Sequence, residues 1–150
     1  MHAVVEDRPS IRRIHRLIGQ YAESHRHPTN VLIHWVCVPI IVWCVLAFAW
    51  AVHPWLAYAG IAASLVYYVS LSLTMAALML VYAALCVASL MLLPHTLLAA
   101  VILFVVTWIF QFIGHRIERK KPSFIEDLQF LLIGPLFLLA KALRRARIGY

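Results

Sequence analysis

Between Arg26 and Arg116 the chain has no Asp, Glu, Lys or Arg. A water-soluble domain cannot leave so long a stretch uncharged, because its surface must be solvated. A bilayer interior asks only for apolar side chains and a backbone that bonds to itself. The absence therefore excludes an ordinary soluble enzyme or binding module. Acidic residues are few, six against 13 Lys and Arg, for a net charge of +7. All of these charges stand at the two ends of the chain, flanking apolar runs. There they suit anionic head groups and the positive-inside rule, so the basic balance is no sign of a nucleic-acid partner. Cysteine is scarce. Cys37, Cys44 and Cys86 lie in apolar runs and form no CxxC, which argues against a disulfide framework or a zinc knuckle. They read as small buried hydrophobes.

What is present is apolar: 64% of 150 residues. The reading is one all-α integral-membrane domain, residues 1–150, in a lipid bilayer. It has about four transmembrane helices, an N-terminal interfacial helix and a C-terminal re-entrant or interfacial helix pair. The spans are 31–52, 55–73, 75–93 and 97–114, separated by His53-Pro54, "SLSLT" at 70–74 and "PHT" at 94–96. The first run resembles a signal peptide only superficially. It is longer than the usual apolar region of one, and further spans follow. Ile11, Ile14, Leu17, Ile18 and Tyr21 recur at helical spacing, which predicts a short helix. It lies either on the membrane surface or on its own domain. The last apolar piece, 124–143, begins with Glu126 and Asp127 and is interrupted by Gly134-Pro135, so a fifth crossing is not expected. Four crossings return the chain to its starting side. The basic N-terminal segment and the 116–121 link then share the cytoplasmic face, with both termini there. The membrane is the bacterial inner membrane, or the endoplasmic reticulum in a eukaryote.

This topology sorts the eight histidines. His25, His27 and His34 gather at the start of the first span, and His115 at the end of the fourth, near one leaflet. His53 and His95 lie in turns at the opposite face, and His2 and His15 in the N-terminal segment. Asn30 and His34 are i, i+4 neighbours if a helix starts at Pro28. Trp108, Gln111, His115 and Glu118 form one continuous stripe on another helix. Two polar stripes thus approach one interface. Polar groups in spans face the bundle interior and mark function, and neutral imidazole is the commonest metal ligand. A lone interfacial histidine is more often an anchor, which suits His2, His15, His53 and His95. His25 and His27 precede the helix and fit surface groups as well. Asn30 and Gln111 fit helix-to-helix hydrogen bonding as well.

At these residues the chain resembles a known family. "YAESHRHPTNVLIHWVCVP" is similar to the opening pattern Y-x3-H-x2-P-x-N-x3-H-x4-P of the Mpo-like 2-hydroxy fatty acid dioxygenases. "WIFQFIGHRIERKKPSFIEDL" is similar to their second motif, and "LIGPLFLLAKAL" to their closing segment. The resemblance covers about residues 21–143. It implies a multi-span membrane enzyme that uses Fe(II) and O2 to shorten a 2-hydroxy fatty acid by one carbon. In the family this serves breakdown of phytosphingosine-derived acids at the endoplasmic reticulum. The family's histidines fall on His25, His34 and His115, with Asn30, Gln111 and Glu118 as motif companions, and His27 matches some members. Cys37 stands where many members have Gly, and Lys141 where an acid is expected.

The resemblance gives a concrete expectation. His25, His34 and His115 bind Fe(II), with His27 or Glu118 as candidates to complete the set, and Glu118 is also counted among the catalytic residues. Asn30 and Gln111 fix the imidazoles from behind. The substrate head group lies beside Arg116 and its basic neighbours. Two rival classes remain: a bis-histidine haem electron carrier, and a small membrane transport or structural protein whose histidines line a path.

Overall fold

The structure is a computed structural model describing residues 9–125 and 129–150, with side chains from residue 13 onward except at 124. His2, Glu126 and Asp127 therefore lie outside what is described, as does the side chain of Ile11. Among the described residues there are six α-helices and no strand. They are α1 (Pro9–Ala22), α2 (Pro28–Val52), α3 (Pro54–Val69), α4 (Leu73–Leu92), α5 (Thr96–Glu118) and α6 (Phe130–Arg145), with a 3-10 turn at Ser123–Ile125 before α6.

Local chemistry sets the boundaries. His27 and His53 each precede a proline at the first helical position, where the missing N–H costs nothing. Each imidazole caps its helix: His27 Nδ1 accepts from Thr29 N–H at 3.2 Å, and His53 Nδ1 from Trp55 N–H at 3.3 Å. Ser72 Oγ caps α4 by accepting from Met75 N–H at 3.3 Å. α5 ends at Arg119, whose φ of 58° lies in the left-handed region and turns the chain sharply.

Three helices, α2, α4 and α5, are long and apolar enough to cross a membrane. α3 is apolar but shorter, 16 residues or roughly 24 Å at 1.5 Å per residue. Two bonds show that α4 runs parallel to α2. The Tyr82 hydroxyl donates to the Pro39 carbonyl at 2.6 Å, and further along Trp43 Nε1–H donates to Ser89 Oγ at 2.7 Å. α3 therefore carries the chain back between the same two ends. α5 packs antiparallel along α2, from Phe104 against Phe48 to Glu118 beside Arg26 and His27. The start of α2 and the end of α5 meet at one end of the bundle.

Of the two placements open to α1 the structure takes the second, and one expectation is revised. The apolar face of α1 does not lie on lipid. Ile14, Leu17, Ile18 and Tyr21 are buried against Ile133, Leu136 and Phe137 of α6 and against Leu71 and Met75 at the α3–α4 turn. Burial of each such side chain contributes about 1.5–3 kcal/mol, and neighbouring protein satisfies that demand here. The C-terminal segment is one helix rather than a pair, because α6 runs on through Pro135. Proline removes only the N–H that would reach the Leu131 carbonyl. The next carbonyl, Leu132, also accepts the Tyr68 hydroxyl at 3.0 Å, tying α6 to α3.

Candidate metal centre

His25 follows the end of α1, His34 lies two turns into α2, and His115 lies in the last turn of α5. All three are buried, at 3%, 2% and 6% exposure. One ring nitrogen from each comes within 4.8 Å of the other two. The rings stand nearly perpendicular, with centroids 4.2 to 5.0 Å apart.

The protons on two of these rings follow from their partners. His25 Nδ1 is 2.7 Å from the Tyr21 carbonyl, and His34 Nδ1 is 2.8 Å from the Asn30 carbonyl. A carbonyl only accepts, so both Nδ1 atoms carry the proton and donate. In the neutral rings both Nε2 atoms then carry a lone pair. Yet these atoms face each other at 2.9 Å. Two acceptors cannot bond to each other, and a cation between them resolves the contact. Burial, opposed by the Tyr21 carbonyl, lowers the His25 pKa from its ordinary value to about 4, so a proton is a poor candidate at neutral pH. His115 adds a third imidazole, and its Nδ1 is buried with no hydrogen-bond partner. Neutral imidazoles held from behind by backbone carbonyls are the usual dress of a metal site, so these residues fit a metal ion.

Glu118 stands outside the group. Its carboxylate accepts from Arg26 N–H at 3.0 Å, His27 N–H at 2.8 Å and Asn30 Nδ2–H at 3.1 Å. It thus pins the end of α5 to the segment that carries His25. Asn30 Nδ2 also donates to the Ser24 carbonyl at 3.1 Å, closing the same loop. His27 is exposed, turned to its capping role, and not in the cluster. Gln111 is buried and lines a cavity of about 70 Å³ that His34 and His115 also border. Arg116 is exposed on the other side of His115, in an open surface basin rimmed by Arg119, Lys120 and Lys121. Lys141 is half-buried, with Nζ 4.9 Å from the Phe137 ring, and its charge opposes protonation of His25. Cys37 is buried in α2.

Two residues of the quoted motifs, read there without a site role, border the site. The Tyr21 ring is stacked on His25, centroids 4.0 Å apart and 5° from parallel, and it borders the cavity. Its i, i+4 relation to His25 was the available signal. Ser123, within the second motif, borders the same cavity with a buried Oγ that has no partner.

The fold and site define a helical membrane protein with a buried three-histidine cluster, open on one side to a basic surface and on the other to an apolar interior. The chain belongs to the Mpo1-like family: the model of the 2-hydroxy-palmitic acid dioxygenase Mpo1-like family matches residues 11–72 and 69–146. It is also 32% identical, over 136 residues, to the 2-hydroxy-palmitic acid dioxygenase MPO1 of Saccharomyces cerevisiae, covering 81% of this chain and 75% of the yeast protein. No solved structure matches.

Proposed function

We propose that this protein is a membrane-embedded, Fe(II)-dependent dioxygenase that converts a 2-hydroxy fatty acid and O2 to the acid one carbon shorter. The observation that carries the metal reading is the 2.9 Å contact of two Nε2 lone pairs beside a third buried imidazole. The name of the yeast relative supports the substrate class. His25, His34 and His115 would hold the ion. Three protein ligands leave positions open, the usual design of non-haem oxygenases, and iron there would supply the activation of O2.

The chain's own residues explain the rest. The Tyr21 and Asn30 carbonyls fix the His25 and His34 tautomers, so each ring presents a lone pair without rearranging. Glu118 acts through the loop it pins and does not touch the reacting atoms. The basic basin of Arg116, Arg119, Lys120 and Lys121 suits the substrate carboxylate, which belongs at the membrane surface. The basin would face the cytoplasm, together with both termini. The haem reading is less well supported, because the cavity beside the imidazoles, about 70 Å³, is too small for a porphyrin.

The test is mass spectrometry of detergent-purified protein supplied with 2-hydroxypalmitate, O2 and Fe(II), with bound iron measured in parallel. A C15 acid that vanishes on chelation is the expected result. Stoichiometric iron without a C15 acid would overturn the substrate, and absence of bound metal would overturn the site.

A further inference from the structure

One large cavity is not used by the metal cluster. It measures about 330 Å³ and lies further along the bundle, walled by α2, α3, α4 and the start of α6 and open at its surface, where Val45, Leu56 and Gly60 are exposed. Its lining is almost wholly apolar: Val45, Ala49, Leu56, Gly60, Tyr82 and Leu132 represent its walls. Ile41, Val42 and Leu131 border both this cavity and the small one at His34 and His115, so the two adjoin. The helix that carries His34 also supplies the floor. His34, Val38, Ile41, Val45 and Ala49 fall at i, i+4, i+7, i+11 and i+15, one face of α2. From Val38 to Ala49 that face extends roughly 16 Å at 1.5 Å per residue. This is close to half of the ~30 Å hydrocarbon core, the depth that one leaflet of long acyl chains fills. Small residues make the room. Gly60 borders the far part of the cavity, and a Cβ added there would meet nothing within 4 Å.

We propose that this cavity is the binding site for the alkyl tail of the substrate, with the carboxyl end where the histidines meet the basic basin and the chain end near Ala49 and Gly60. The proposal rests on the dioxygenase reading for the head group but not for the tail site itself. Three observations choose this occupant over a bilayer lipid. The cavity adjoins the cluster, the His34 face continues into it, and the small cavity between them shares His115 with the basic basin. The arrangement makes the far end, at Ala49 and Gly60, a gauge of chain length. Filling it shortens the tail that fits.

The experiment is photolabelling in nanodiscs of the intact protein with 2-hydroxyhexadecanoic acid carrying a terminal diazirine, mapped by peptide mass spectrometry. Labels are expected on the second half of α2 and on 54–65 of α3. Unlabelled 2-hydroxypalmitate should displace them, and excess phosphatidylcholine should not. Gly60→Leu should cut labelling at least fivefold, while an analogue with an eight-carbon chain still binds. Ala49→Phe serves as a second blocking variant at the same end. Labels on the outward face of α5, around Val105 and Ile109, would overturn the proposal, as would displacement by phosphatidylcholine. So would labelling unchanged in both blocking variants. If the labels map as expected but no 2-hydroxy acid is oxidised, the tail site stands and the dioxygenase reading fails. If oxidation proceeds with labels elsewhere, the tail site alone fails.

Discussion

Gly114 of α5 lies directly against Asn30 of α2, so that a Cβ at position 114 would overlap Asn30 Oδ1. This close approach is what lets Asn30 Nδ2 reach both the Ser24 carbonyl and Glu118. Gly114→Ala must push the Asn30 side chain aside, which breaks the bonds of its Nδ2 to the Ser24 carbonyl and Glu118 and loosens the segment that carries His25. Overpacking of a tight contact costs about 1–3 kcal/mol. The expected outcome is a lowered midpoint of thermal unfolding together with reduced bound iron. Unchanged iron and unchanged unfolding would show that Asn30 has somewhere else to go.

The facing lone pairs of His25 and His34 make a second expectation. A ligand that binds only the folded state stabilises it by mass action, by about 4 kcal/mol at 1,000 times Kd. Removing the metal with a chelator should therefore lower the thermal midpoint of the wild type by several degrees. His34→Ala and His115→Ala each remove one of the proposed ligands, so chelation should leave their midpoints in place. Thermal scans with and without chelator check this. A chelator shift that persists in either variant removes that residue from the site.

Glu118 separates a ligand from a strut. Three donors converge on its two oxygens. In Glu118→Gln one oxygen becomes an NH2 that faces donors. A group acting from behind the ligands typically costs 10–100-fold in metal affinity or activity when replaced. Full loading at saturating iron, with affinity lowered by that factor, is the expected titration. If Glu118→Gln takes up no iron at any concentration, the carboxylate is itself a ligand.

The parts of this site that were legible in the sequence are those carried by regular helices. The uncharged stretch from 27 to 115 defined the bilayer. The spacing of Asn30 with His34, and of Gln111 with His115, put each pair on one face. Residues placed by loop geometry were not legible in this way. His25 stands before α2; its ring is set by the Tyr21 carbonyl, and the backbone just after it is pinned by Glu118, far away in sequence. Its place in the set came from the resemblance rather than from periodicity. His27 shows the converse. Histidine before proline occurs at 27 and again at 53, and both cap a helix whose first residue is that proline. The repeated pair was a structural signal in plain view. The course of α6 through Pro135 and the burial of α1 depend on packing partners, which a single segment does not announce.

The acid response of the metal-free protein follows from His25. Burial, the largest influence, lowers its folded-state pKa to about 4 from the 6.5 it has when unfolded. Above pH 6.5 the group is neutral in both states and has no effect on the balance. As pH falls from 6.5, the unfolded chain takes up a proton that the folded one refuses, so stability declines until pH 4 and then levels off. At 1.36 kcal/mol per pH unit the decline is roughly 3 kcal/mol. Chemical denaturation of chelated protein at intervals between pH 7 and pH 4 measures it. His25→Leu removes one of the three buried imidazoles and should make the fall in that window shallower. An equally steep fall in the variant would move the acid sensitivity to other groups and show that His25 is free to protonate in the folded protein.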